Sequence, residues 1–256
     1  MSINVSFYNN KFELNKLQLP TRYYYFNDHL TNWENYIKLL SIGEGIFPKD
    51  KIRTNIILEN SDTIFTTESA TKVYPSRSKN GELGINKINI KLYNSNLEFI
   101  NDELILYKDA KFLQLLQIQA DEKSTFFYGD ILSHGRSYED FDFSLNSGKN
   151  SFFVDDTLEY LEKYQVLGDD LKTYIKNHNT KNNLFAKVYI KAQDNESFLN
   201  ILNQNNINSF SYTSNKKMII GVISSDNMSN LKKELNSVWT LYRKSLHKKQ
   251  FNLGKQ

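Results

Sequence analysis

Between residues 50 and 155 apolar and polar side chains alternate in short runs divided by polar turns: KIRTNIILE, TIFTTESATKVY, INKINIKLY, LEFI, FLQLLQIQ, STFFYGDIL and FDFSL. A period of two belongs to strands with one buried face. In INKINIKLY, Ile88, Ile90 and Leu92 share one side while Asn89, Lys91 and Tyr93 share the other, which assigns the first three to a core. TIFTTESATKVY reads as one continuous strand in which Ile64, Thr66, Glu68, Ala70, Lys72 and Tyr74 line one face over about 20 Å. That face carries charge where a core strand would be apolar. Burying an unpaired carboxylate is costly, so the face is expected to meet water, a partner or a hydrated internal channel.

After residue 184 the pattern changes to β-α-β-β-α: strand LFAKVYIK, helix NESFLNILNQ, strands NSFSYTS and KMIIGVIS, and a long helix over DNMSNLKKELNSVWTLYRKSL. In the last helix Met228, Leu231, Leu235, Val238 and Tyr242 recur at spacings of three and four, with Trp239 and Leu246 widening the stripe. The stripe predicts packing on the β region, and Asp226 is the expected N-cap. Leu167 to Asn183 reads as a linker or weak helix, and the basic tail HKKQFNLGKQ as a solvated terminus.

Composition refines this picture. Hydrophobic residues make up 39% of the 256, but 17 Phe and 16 Tyr are among them, so rings must supply much of the buried area. Only 10 Gly and 3 Pro are available for turns, which leaves turning to Asn clusters such as Asn9-Asn10, Asn94-Ser95-Asn96 and Asn205-Asn206. Thirty-two basic against 29 acidic residues give a net charge of +3, too small to imply nucleic acid or a membrane. Without cysteine, any metal falls to imidazole, carboxylate or backbone oxygen. No signal peptide and no run of ~20 apolar residues is present, so a cytoplasmic protein is expected.

Familiar catalytic motifs are missing. There is no GxGxxG, GxxxxGK[ST] or GxSxG, and His29, His134, His178 and His247 form no HExxH. Paired carboxylates such as Asp121-Glu122, Glu139-Asp140 and Asp155-Asp156 leave a β-solenoid carbohydrate-active enzyme as an alternative. A nucleic-acid binder using Arg243, Lys244, Lys248 and Lys249 would show steep salt dependence.

Five blocks in order bring in a further reading. GEGIFPKDKIRTNI, TTESATKVYPS, NLEFINDELILYKDAKFLQ, FFYGDILSHGR and VWTLYRKSL resemble, at the same separations, segments of the urease accessory proteins called UreD or UreH. TTESATKVY is similar to that family's TTQxATKxY, with Glu68 for the usual Gln; His134 stands for the usual Pro before Gly-Arg. The resemblance covers roughly residues 40 to 250. It implies a single domain over 1–256, mainly β with a few helices: a many-stranded β-helix-like scaffold in which 1–183 is mostly β and 184–256, with two C-terminal helices, packs against it.

The implied function is that of a non-enzymatic maturation chaperone. It would bind the urease apoprotein and the accessory proteins UreF and UreG, a GTPase, and assist nickel insertion. No cofactor would be tightly bound; nickel(II) would pass transiently, and neither nucleic acid nor membrane would be a partner. A conduit must hold its ion weakly enough to release it. By family position the path candidates are Asp50, Glu68, Glu98, Asp102, Asp109 and Asp130, with Lys72, Tyr74, His134, Arg136 and Glu139 as path wall or partner-binding residues.

Overall fold

The computed structural model describes residues 1–76, 81–136 and 138–254. Four strands open the chain: β1 (Ser2–Tyr8), β2 (Lys11–Gln18), β3 (Thr21–Phe26) and β4 (Asn35–Ser41). Then come β5 (Lys51–Glu59), β6 (Asp62–Thr67), β7 (Thr71–Val73), β8 (Gly84–Tyr93), β9 (Asn96–Leu106), β10 (Lys111–Ala120), β11 (Thr125–Leu132), β12 (Leu145–Val154) and β13 (Thr157–Val166). The remainder is α1 (Gly168–Asn177), β14 (Leu184–Lys191), α2 (Asn195–Gln204), β15 (Phe210–Tyr212), β16 (Ile219–Ser225) and α3 (Met228–Ser245). Among the described residues the chain is mainly β with three α-helices: α2 and α3 are the two C-terminal helices expected, and α1 forms inside the stretch read as linker or weak helix.

Two sheets face each other. Sheet 1 runs β13-β12-β10-β8-β5-β1-β2 and sheet 2 runs β15-β16-β14-β11-β9-β6-β4-β3, with β7 beside β9. From β4 to β12 the main strands alternate between the sheets, so each circuit adds one parallel strand to each: β5, β8, β10 and β12 on one side, β6, β9 and β11 on the other. This two-sheet winding is compatible with the β-helix-like scaffold expected. Several turns use asparagine, as its tolerance of left-handed backbone allows: φ is positive at Asn9, Asn10, Asn60, Asn94 and Asn206.

One end of the space between the sheets is filled. Ile88, Ile90 and Leu92 bury the face that alternation assigned to them, against Phe7, Phe65, Phe99, Phe126 and Phe152. Phe7 meets Phe65 edge-on at 6.5 Å between centroids, an arrangement rings favour. On the outer side of sheet 2, Leu231, Leu235, Val238, Trp239 and Tyr242 of α3 close a second core with Phe198 and Leu202 of α2, as the helical stripe required.

Four local expectations are corrected. TIFTTESATKVY is not one strand: pairing stops after Thr67 and resumes at Thr71, so Glu68, Lys72 and Tyr74 do not line a common face. FDFSL is not a strand either, since Phe141 adopts a φ of 54° and only Leu145 enters β12. The N-cap of α3 is Asn227, not Asp226; its side chain accepts from the amides of Ser229 and Asn230. The tail is solvated only in part: His247, Lys249, Gln250, Asn252 and Gly254 are exposed, but Phe251 is buried in the α3 core and the Leu253 carbonyl accepts from Tyr36 Oη at 2.7 Å; Lys255 and Gln256 lie outside the described residues.

Candidate functional site: a cavity between the sheets

The other end of the intersheet space is not filled. A cavity of about 330 Å³ lies there, walled by Asn86, Gln114, Asn146, Asn150 and Tyr164 from sheet 1 and by Asn101, Asp102, Asp130 and Lys187 from sheet 2, with Leu171 and Tyr174 of α1 beside it. The sequence builds it simply. On β10 the buried parity reads Phe112, Gln114, Leu116, Ile118, and on β12 it reads Asn146, Gly148, Asn150, Phe152, Val154. Each strand thus carries its polar core-facing residue toward the same end.

Asp130 is the anionic centre of this cavity. Its two oxygens accept from Asn101 Nδ2 and Gln114 Nε2, each at 2.6 Å, so its bonds tie sheet 2 to sheet 1. Burial pushes the Asp130 carboxyl above the usual carboxylate range; the Gln114 and Asn101 bonds and the nearby Lys187 ammonium pull the other way without cancelling it. Lys187 is the cross-strand neighbour of Asp130, yet it reaches across to Glu162 of β13, Nζ to Oε1 2.6 Å, with its ammonium 4.1 Å from the centroid of the Tyr164 ring. Glu162 also accepts from Tyr189 Oη at 2.5 Å and Asn150 Nδ2 at 2.9 Å. Burial would raise its carboxyl, but Lys187 and these bonds outweigh that and hold it below the usual range. Among the described residues, the side-chain carbonyl oxygens of Asn146 and Asn150, both nine-tenths or more buried, have no hydrogen-bond partner.

Opposite Asp130 the β9–β11 ladder slips. Gly129 pairs with Ile100 and Ile131 with Glu103, so Asn101 and Asp102 together face the single residue Asp130. Such a bulge re-aims side chains that alternation would send to opposite faces. Both Asn101 and Asp102 line the inner cavity and also a larger outer groove of about 790 Å³ bounded by α3 and the tail, which contains Trp239, Lys232, Phe251 and Leu253. Asp102 lies 3.5 Å from Lys232 Nζ, and its amide donates to Thr67 Oγ1.

The other candidates from the sequence are dispersed. Glu98 is fully buried behind α3, where it accepts from Trp239 Nε1 and Arg243 Nη1, each at 2.6 Å, and pairs with Lys248 at 3.3 Å. Asp50 accepts the Phe47 amide in the turn before β5, and Asp109 occupies a turn with φ of 63°. Glu68 pairs with Lys38 at 3.2 Å on the surface, Lys72 is exposed, and Tyr74 stacks on Phe47 with centroids 4.7 Å apart. His134, Arg136 and Glu139 form one loop: Glu139 accepts from the Arg136 guanidinium at 2.6 Å, and the His134 ring contacts the Glu139 carbonyl at 3.0 Å. Burial would raise the Glu139 carboxyl, but Arg136 and two backbone amides hold it below its usual range. Among the described residues, no group of three or more His, Asp or Glu is placed to hold a metal ion.

Comparison with known proteins agrees with the sequence blocks. The family model described as UreD urease accessory protein matches residues 29–254. The chain belongs to the UreD family of urease accessory proteins. It is 59% identical over 257 residues, the full length of both chains, to the urease accessory protein UreD of Aliarcobacter butzleri (strain RM4018). It is 29% identical over 168 residues, 63% of this chain and 59% of the relative, to that of Staphylococcus epidermidis (strain ATCC 12228 / FDA PCI 1200). A role in urease maturation, accessory rather than enzymatic, follows from this membership. Among the described residues no helix is long and apolar enough to cross a membrane.

Asn101, Gln114, Asn146, Asn150, Glu162, Tyr164 and Lys187 were not singled out by motif. Their signal was present, as polar residues on the core parity of otherwise apolar strands, but it becomes visible only when register sets those strands side by side.

Proposed function

We propose that this chain is a cytoplasmic scaffold that binds the urease apoprotein together with UreF and UreG and assists GTP-dependent nickel insertion, with nickel(II) passing transiently through the intersheet cavity. The observation that carries the path is the bulge at Asn101 and Asp102, which puts the same side chains on the wall of the inner cavity and of the outer groove. Asp102 and Asp130 supply carboxylates, and Asn146 and Asn150 supply unpartnered amide oxygens. Nickel accepts such ligands but prefers imidazole and thiolate, so a few carboxylate and amide oxygens on an otherwise largely apolar wall would hold it weakly and let it leave. Of the six carboxylates expected on a path, Asp102 and Asp130 border this route; Glu98, Glu68, Asp50 and Asp109 are engaged elsewhere.

The test is co-expression with a urease operon lacking its own copy of this gene, followed by pull-down, nickel analysis and urease assay at limiting nickel. Asp102→Asn/Asp130→Asn is expected to retain the accessory complex while lowering nickel per urease site at least tenfold. Normal nickel loading by that double variant would remove the cavity from the path.

A further inference from the structure

We propose that the outer face of sheet 1 is a docking surface for an acidic patch on a partner protein, and, resting on the proposed function, that this partner is the urease apoprotein. The faces of the two sheets differ in what covers them. α3 packs against β11, β14 and β16 of sheet 2. The outward residues of β5, β8, β10, β12 and β13 are instead mostly half-buried or exposed, and six of them are exposed cations: Lys51, Arg53, Lys87, Lys91, Lys149 and Lys163. Two acidic residues share that parity on these five strands: Glu59 at the end of β5, and Glu159, which is the extra residue of the β12–β13 bulge and is buried, accepting from Thr213 and Asn215. None of the six forms an ion pair among the described residues. For a chain of net charge +3, this is a pronounced segregation of charge.

Register makes the arrangement unfavourable in isolation. Arg53 stands directly opposite Lys87, and Lys149 directly opposite Lys163. Like charges in directly opposed positions destabilise a sheet, so the folded chain holds repulsion that a partner's carboxylates would relieve. Parallel strands are also usually covered on both faces. The face is prepared for contact: Asn89 Nδ2 donates to Asn55 and Asn55 Nδ2 to Asn4, at 2.9 and 2.7 Å, a ladder that fixes the middle row. With strands ~4.8 Å apart and ~6.6 Å between like-facing residues, the seven-strand face measures about 30 by 20 Å, of the order of one partner's side in a standard interface.

The chemistry favours a protein over a nucleic acid. Leu115 separates the Arg53–Lys87 pair from the Lys149–Lys163 pair in the same row, leaving the inner cations, Lys87 and Lys149, two strand spacings, ~10 Å, apart. Leu161 and Phe153 add apolar surface beside the second pair. Charges grouped around apolar positions match a protein interface, whereas a phosphate backbone calls for a continuous cationic track.

The test uses the full-length chain, immobilised, with purified apo-urease and separately a 20-base-pair DNA duplex as probes, by biolayer interferometry at low and high salt. Arg53→Glu/Lys87→Glu and Lys149→Glu/Lys163→Glu are each expected to weaken apo-urease binding at least tenfold, while Lys176→Glu on α1 changes it less than twofold. The milder Arg53→Gln/Lys87→Gln, checked by circular dichroism, guards against misfolding and should shift binding in the same direction. Unchanged binding by the reversal variants overturns this surface and leaves the proposed function standing. No binding by the wild-type chain overturns both. Duplex binding that is tighter than apo-urease binding and lost on charge reversal would make the face a nucleic-acid site and overturn the proposal.

Discussion

Glu98 Oε2 and Arg243 Nη1 lie 2.6 Å apart, though 145 residues separate them in the chain, and both side chains are closed to solvent. The pair joins the middle of sheet 2 to the last helix. Arg243 also holds Glu34 by two bonds of 2.7 and 2.8 Å and the Lys249 carbonyl at 2.8 Å, so the N-terminal strands, β9, α3 and the tail converge on one guanidinium.

Removing one member leaves a buried charge without its partner, which costs about 3–5 kcal/mol. Glu98→Ala and Arg243→Met are each expected to lower the melting temperature by roughly 10 °C, since each kcal/mol shifts a domain of this size by about 2–4 °C. Glu98→Leu/Arg243→Met should recover most of the loss, because an apolar pair carries no desolvation cost. Thermal unfolding followed by circular dichroism decides it; a double variant no more stable than the singles would show that the pair contributes more than its charges cost.

Asp130 should act on stability with the opposite sign. Its carboxyl titrates above its unfolded value, so the folded state binds the proton more tightly, and stability falls as pH rises from the unfolded pKa through the folded one. Above the folded-state pKa the burial cost is fully present. Asp130→Asn keeps the Asn101 bond, and a turned Gln114 amide can accept from the new Nδ2, so the variant is expected to melt higher than wild type at pH 7. The difference should shrink as pH falls through the raised folded-state pKa toward the ordinary carboxylate range and be gone below it. A variant less stable at pH 7 would mean that the carboxylate's bonds outweigh its burial.

Gly168 starts α1, where an added Cβ would lie 1.8 Å from the Phe141 carbonyl oxygen and 2.6 Å from that of Phe143. Leu171 and Ile175 of this helix pack on the cluster containing Phe141 and Phe143, and Leu171 borders the cavity. Gly168→Ala therefore has to displace α1, and cleavage by a protease within residues 167–183 is expected to accelerate at least tenfold. An unchanged cleavage rate would show that the loop carrying Phe141 yields instead.

Several features were legible along the chain because they depend on neighbours in sequence. Alternation placed Ile88, Ile90 and Leu92 in the core, the three-four spacing found the buried stripe of α3, and asparagine marked the turns. The ordered blocks identified the family. What the sequence left open depends on register between distant strands. Whether Glu98 faced water or Arg243, whether Glu68 and Lys72 shared a strand face, and whether Lys248 was solvated or ion-paired were settled by contacts spanning many residues. The cavity belongs to the same class: Asn101, Gln114, Asp130 and Asn146 are breaks in four separate patterns, and only the winding of the chain between two sheets, with a bulge at β9, makes them one wall.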